Sequence, residues 1–485
     1  MAGSGDISRK AETWGSKFGF IMAAVGSSVG LGNFWRFPYT AGENGGGAFI
    51  LAYLICVLII GLPLLMAEYS IGRKSGLSAT EGVQYVARSE GRSENWAITG
   101  WVGSMAAFFI LSFYNVISAW LIAFIPQAFS SDFAGFAAEA ARQTAEAQAL
   151  DPNAKEVSIA DVSGANFGAT IGDTGLIISL LFVFIAANAF IVGRGVKAGI
   201  ERVATILMPL FFLMLLGVVV FAVTIGDFAK TAAFIFEPKW SDVGFKTFLA
   251  ALGQAFFSLG VGVGLMITYG AYLSKDTDIT RSSGIIAGSD TMVALIAGFA
   301  IFPIVFAFGG SVAAGPGLFF VSMPVAFGAM DAGALFGGVF FTLALFAAFT
   351  SSISLMEVGV SWLEERHGVT RQGAAAGYGF VLFMIGVAYV FSLEYLDFMD
   401  FMTEGLLLPL GGLLMAVFAG WVASRKMLTS ELGDGRVMDV WRFAVRWVAP
   451  IFVSIVLVFG FLDKLQDIYG LQLPGLLTPL LGPNS

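Results

Sequence analysis

The chain has 485 residues, 57% of them hydrophobic and 12% charged, with a mean hydropathy of +0.83. Soluble domains carry about 25% charged residues, so an ordinary soluble domain and a disordered chain are both excluded. The formal charge of −8 leaves no basic footprint for nucleic acid, and a single Cys (Cys56) and a single His (His367) exclude an intramolecular disulfide and any Cys-rich or multi-His metal site.

A membrane helix needs about 20 mainly apolar residues. Windows of that length fall at 18–39, 47–71, 97–126, 174–193, 199–225, 245–272, 285–311, 333–362, 374–393, 398–424 and 446–462. They predict an all-α integral membrane protein with eleven transmembrane helices. The tail Leu465–Ser485 is too short and too broken by Pro and Gly for a twelfth. The first apolar run is too long for a signal peptide and lacks a small-residue exit, so no cleavable signal is expected. Of the 26 Lys and Arg, all but Arg36, Arg142, Lys155, Lys230, Lys239, Lys246 and Lys464 lie on the N-terminal side of this arrangement. Basic loops stay in the cytoplasm. A multi-pass protein of the inner (plasma) membrane follows, with its N-terminus inside and its C-terminus outside. The acidic, Ala-rich stretch 127–173 reads as a solvated outer cap with a short helix near Ala137–Leu150.

Two spans are interrupted. The first runs through Gly26-Ser27-Ser28-Val29-Gly30-Leu31-Gly32-Asn33, and the sixth through Gly260-Val261-Gly262-Val263-Gly264. Each Gly costs about 1 kcal/mol in a helix, and backbone freed in lipid costs more unless it lines a cavity. Glycines also permit tight helix packing. Two such spans five helices apart point instead to an inverted repeat of five plus five helices around a binding site. The expected organisation is a cytoplasmic segment 1–17, helices 1–5 over 18–225, helices 6–10 over 245–424, an eleventh helix at 446–462 and an extracytoplasmic tail 463–485. In the eighth span, Thr350-Ser351-Ser352 offers hydroxyls that either bond back to the helix or serve as oxygen ligands for a hard cation. Acids within or at the ends of spans (Glu68, Glu201, Asp290, Glu357 and Asp400) are functional candidates. Asp290 lies inside an apolar run, as a cation partner or a helix N-terminal acid. Arg36 needs a partner, and Asp400 is available.

Gly30-Leu-Gly-Asn-Phe-Trp-Arg36-Phe-Pro-Tyr, Glu43-Asn-Gly-Gly-Gly-Ala-Phe49, Gly61-x-Pro63 with Glu68, Gly199-Ile-Glu-Arg202, Gln254-Ala-Phe-Phe-Ser258, Lys275-Asp-x-Asp278 and Phe349-Thr-Ser-Ser352 together resemble the neurotransmitter:sodium symporters, over roughly residues 9–463. The bacterial, leucine-transporter-like amino-acid carriers are the branch this chain is similar to. The resemblance implies alternating access and two sodium sites. One would use Ser28, Asn33, Ser258 and Asp290. The other would use Gly26, Val29, Ala347, Thr350 and Ser351. Substrate would meet the backbone near Ser27, Ser28, Gly30 and Gly32, the Tyr114 hydroxyl, and carbonyls at Phe257 and Ser258. Its side chain would face Ile110, Phe257, Gly260, Val263, Ser354 and Leu355, beside Ser351. Arg36 and Asp400 would form an outer gate; Trp14 and Glu365 would belong to an inner one.

Three departures refine this expectation. Asp290 stands where chloride-dependent relatives have Asn, so chloride is not expected as a co-ion. Ala11 stands where the family has Arg, so the inner gate should be weak and favour inward-facing states unless Arg9 or Lys10 substitutes. Gly260 and Val263 replace larger groups, and Gly30 replaces the Asp of monoamine carriers. A neutral, apolar or aromatic α-amino acid is therefore the expected substrate, with an osmolyte or non-α amino acid, or a non-transporting sensor of the same fold, as alternatives. Neither an enzymatic activity nor an obligate protein partner is expected; the lipid bilayer and the substrate are the partners. Gly199 and Pro209 fit either an ordinary kink or the unwinding seen with this spacing in some relatives.

Overall fold

A computed structural model describes residues 12–308, 312 and 317–469. Among the described residues the chain is helical, with no strand. The first helix, α1, is broken into Lys17–Ser28 and Gly32–Glu43 with a 48° bend. There follow α2 (Gly47–Ser75), α3 (Glu94–Phe129), α4 (Thr174–Gly193) and α5 (Val196–Ile225). The next, α6, is broken into Phe245–Leu259 and Leu265–Ala271. Then come α7 (Ile279–Ala307), α8 (Gly333–His367), α9 (Arg371–Phe391), α10 (Leu393–Val422) and α11 (Arg436–Leu462).

Nine described helices are each long and apolar enough to cross a membrane, and α1 makes a tenth span as a bent pair. The two halves of α6 are individually too short and fill the sixth expected position only together. The cap helix is present as Phe136–Leu150. Helices at Ile159–Gly172 and Phe228–Phe236 accompany it; both are too short for a hydropathy window to register. The start of α11 lies ten residues ahead of the expected boundary, because its first turns carry Arg436, Asp439 and Arg442 and fail an apolar test. The expectations for Arg9, Lys10 and Ala11, and for the tail beyond Tyr469, lie outside the described residues.

The packing explains which faces meet lipid. The most apolar stretches of α3 and α8 are 78% and 72% buried within the protein, against 17% for α11. α3 lies along α8, and α4 along α9. The first half of α1 is enclosed by α5, α7 and α8, and the second half of α6 rests on α2. This inner group holds both breaks, while α4, α5, α9 and α11 turn large apolar side chains such as Phe182, Leu213 and Phe380 outward. α5 is wound throughout, as a wide turn over Val196–Glu201 followed by α-helix with Pro209 inside it.

Candidate functional site

In α1 the regular bonding pattern fails across the break, and the carbonyls of Gly26 and Val29 are among those that lose their helical partners. The Gly30 N–H, which would normally serve Gly26, donates to the Asn33 side chain at 3.1 Å. The Asn33 N–H, which would serve Val29, donates to the Gly30 carbonyl at 3.1 Å. The carbonyls of Gly26 and Val29 are thereby freed inside the protein. The chain resumes as a wide turn, Gly32–Arg36, that carries Asn33 and Arg36 together. In α6 the break is a matter of backbone conformation. Gly260, Gly262 and Gly264 all have positive φ (+62°, +85° and +70°), a region closed to most side chains. Glu68 of α2 accepts the Gly262 N–H at 2.6 Å. On the other side Gly411 of α10 allows the approach, since a Cβ there would stand 2.1 Å from the Gly262 carbonyl oxygen.

Two oxygen clusters flank these breaks. In the first, Asn33 donates to Asp290 Oδ1 at 2.8 Å and to Ser258 Oγ at 3.1 Å. Ser258 Oγ donates to Asp290 Oδ2 at 2.6 Å. The Tyr53 hydroxyl lies 3.5 Å from the same carboxylate, a contact that the sequence reading missed. Asp290 is fully buried, and no basic side chain among the described residues reaches it. The Ser28 hydroxyl is buried without a partner. In the second cluster, Ser351 Oγ lies 3.3 Å from the Gly26 carbonyl and 3.5 Å from that of Val29. Thr350 Oγ1 lies 3.1 Å from the Ala347 carbonyl. Contacts between distant helices join Asn33, Ser258 and Asp290 in the first cluster and Ser351, Gly26 and Val29 in the second, while the Thr350 hydroxyl bonds back to its own helix at the Phe346 and Ala347 carbonyls.

Between the clusters lies a small cavity. Ser27, Ser28, Gly30, Gly32, Ile110, Tyr114, Phe257, Gly260, Val263, Ser351 and Leu355 line it, together with Leu265 and Leu408. The Tyr114 hydroxyl accepts the Leu31 N–H at 3.1 Å. A Cβ on Gly30 would stand 2.6 Å from Ser351 Oγ and 2.9 Å from the Tyr114 hydroxyl, so a side chain there would displace both. Ser354 does not form the wall. It lies off the face shared by Ser351 and Leu355, and its hydroxyl accepts from Tyr269 at 2.6 Å. Leu408 gave no signal in the sequence, because Leu406 and Leu407 beside it look the same.

The gates use partly different partners from those expected. Arg36 forms its ion pair with Glu404 and lies 5.0 Å from the centre of the Phe257 ring. Asp400, the expected partner, lines the same outer vestibule one turn earlier. The wide turn Met402–Leu407 brings Glu404 to the guanidinium. On the opposite side the Trp14 indole N–H donates to the Tyr269 carbonyl at 3.1 Å. The Gly15 N–H and Ser16 hydroxyl donate to Glu201 at 2.5 and 2.9 Å. Glu365 accepts the Ser78 N–H at 2.9 Å. Arg371 on this side pairs with Glu357 and with Glu364 at 3.3 Å. The Tyr272 hydroxyl donates to Glu357 at 2.6 Å. Trp14 and Gly15 are thus held against α6 and α5 on this face.

A helical membrane protein with two broken helices around one cavity is a secondary transporter of the inverted-repeat class. The chain matches the model of the Sodium:neurotransmitter symporter family over residues 11–473. It is 33% identical over 464 residues to the uncharacterized sodium-dependent transporter YhdH of Bacillus subtilis (strain 168), covering 92% of this chain and 97% of that one. It is 27% identical over 435 residues to the sodium-dependent nutrient amino acid transporter 1 of Drosophila melanogaster, covering 78% and 65%. Its fold is similar to the crystal structure of MhsT in complex with L-phenylalanine, with a TM-score of 0.81 and 35% identity over 93% of this chain and 99% of that one. The chain belongs to the sodium:neurotransmitter symporter family, as a multi-pass, sodium-coupled membrane transporter.

Proposed function

We propose that the protein imports a neutral apolar or aromatic α-amino acid with sodium, by alternating access and without chloride. The observation that carries the reading is the cavity wall, which joins apolar side chains to freed main chain and holds no charged side chain. A zwitterion suits it: carboxylate against the amides at the α1 break and Tyr114, amino group against the α6 carbonyls, side chain toward Ile110, Val263, Leu355 and Leu408. MhsT, whose fold this chain shares, was solved with L-phenylalanine.

Two sodium ions would sit beside this substrate, the first among Ser28, Asn33, Ser258 and Asp290, the second among Gly26, Val29, Ala347, Thr350 and Ser351. The donor chemistry fits. A hard cation keeps oxygens about 2.3–2.6 Å away, so ligands at right angles stand about 3.3–3.7 Å apart. Ser351 Oγ stands 3.3 and 3.5 Å from its two carbonyl neighbours. The fixed charge of Asp290 would take the place of chloride. With the N-terminus in the cytoplasm, each inward sodium gains about 2.3 kcal/mol per 100 mV.

The test is uptake into proteoliposomes with sodium or potassium outside, with and without chloride, across a panel of amino acids. Sodium-driven, chloride-independent accumulation of L-phenylalanine or L-leucine is expected. Binding without accumulation would identify a sensor, and selective accumulation of betaine or a β-amino acid would overturn the substrate assignment.

A further inference from the structure

The corner where α10 ends and α11 begins holds two cations without counter-ions among the described residues. Arg446 lies 4.3 Å from the centre of the Trp421 ring and 5.8 Å from that of Trp447. The Trp421 indole N–H donates to the Arg446 carbonyl at 3.1 Å, which sets Arg446 level with the last turn of α10. Gly420 permits this approach, since a Cβ there would stand 2.8 Å from Arg446 Cα. Arg442 lies one turn earlier on the same face of α11. Arg442 Nη1 and Arg446 Nε are both buried with no acceptor among the described residues. The charges facing Arg442 are Arg446 and Arg425, both positive. The nearby carboxylates of Asp434 and Asp439 are engaged by Arg425 at 3.2 and 2.7 Å.

Buried guanidinium donors without an acid are costly unless an anion completes them. We propose that Arg442 and Arg446 hold the phosphate of an anionic phospholipid, with Trp421 and Trp447 at the boundary between its headgroup and its chains. Guanidinium forks match phosphate oxygens, and Trp favours that boundary in a bilayer. A free phosphate would satisfy the same donors. Phe443, Trp421 and Trp447 are 61%, 45% and 47% exposed on this corner, and only a lipid covers that surface as well. The face is the one that carries Arg425, Lys426 and Arg436, where the anionic leaflet is expected.

The test is native mass spectrometry of the delipidated full chain, titrated with phosphatidylglycerol, cardiolipin, phosphatidylcholine or inorganic phosphate. At about five-fold per Arg, the anionic lipids should bind about 30-fold more tightly than phosphatidylcholine. R442Q/R446Q should remove that preference and R442K/R446K keep most of it, both with the wild-type melting temperature in lipid-free detergent. If the double Gln variant does not fold, R442Q alone should lose about five-fold. Equal binding of phosphatidylglycerol and phosphatidylcholine, an unchanged preference in R442Q/R446Q, or loss of the preference in millimolar inorganic phosphate would each overturn the proposal.

Discussion

Replacing Asp290 by Asn removes one charge from the site while nearly preserving its shape. The carboxylate is fully buried and accepts only neutral donors: Asn33 at 2.8 Å, Ser258 at 2.6 Å and Tyr53 at 3.5 Å. No basic side chain among the described residues balances it, so a cation bound at the proposed site would be what keeps it ionised. A unit pair about 4 Å apart at an effective dielectric of about 20 is worth about 4 kcal/mol, or about three decades of affinity. The Asn side chain keeps one acceptor for Asn33, and the Ser258 hydroxyl can rotate to accept from its amide. The assay is sodium titration of radiolabelled amino-acid binding to the purified variant, in gluconate and in chloride. The half-saturating sodium concentration should rise by up to about 10³-fold in gluconate and partly recover in chloride, which returns a negative charge nearby. A folded D290N whose sodium dependence in gluconate matches the wild type would refute the reasoning.

Ser351→Ala removes the hydroxyl shared by the Gly26 and Val29 carbonyls; a bond to a charged partner contributes about 1.5–3 kcal/mol, so sodium affinity should fall about 10–100-fold in the same titration. Leu408→Phe should shorten the side-chain end of the cavity and Leu408→Ala extend it. Competition between L-alanine and L-phenylalanine in uptake should shift in opposite directions by about 10-fold or more. Glu201→Gln weakens the hold on Gly15 and Ser16 that keeps Trp14 seated. Hydrogen exchange across Trp14–Ser28 should quicken about 5–30-fold, and unchanged exchange would remove Glu201 from the inner gate.

What the sequence disclosed was the chemistry that is expensive in a membrane. Glycines in a run at Gly260–Gly264, hydroxyls at Thr350–Ser352 and an acid at Asp290 stand out against lipid-compatible surroundings. The structure collects them around the two breaks. Contacts that depend on helix rotation were not legible. Asp400 and Glu404 are both acids one turn apart near Arg36, and the ion pair with Glu404 needed the wide turn at Met402–Leu407 placed in space. Ser354 and Leu355 are neighbours in sequence, but one bonds Tyr269 while the other lines the cavity. Leu408 is apolar among apolar residues, so packing alone gives it a role. Arg371 looked like another cytoplasmic charge, and its ion pair with buried Glu357 needed two helices placed in space.

The site and the outer gate share rigid elements, and that sharing is a route from cation binding to closure. Asn33 and Arg36 lie on one wide turn, Gly32–Arg36. Ser258 and Phe257 are adjacent at the end of the first half of α6. The hydrogen bond between Asn33 and Ser258, at 3.1 Å, therefore fixes the same two segments that place Arg36 over the Phe257 ring at 5.0 Å. The Gln254 amide, one turn earlier on α6, donates to the Gly32 carbonyl at 2.9 Å and ties the segments a second time. A cation that draws oxygens of Asn33 and Ser258 onto itself cannot do so without also setting the distance between the Arg36 guanidinium and its aromatic seat. Coupling of this kind needs no path through the fold, because ligand and gate bias one two-segment unit. The inner plug is built on other parts, Trp14, Glu201 and Tyr269. If both act as gates, as proposed, they would respond to different partners, as alternating access demands.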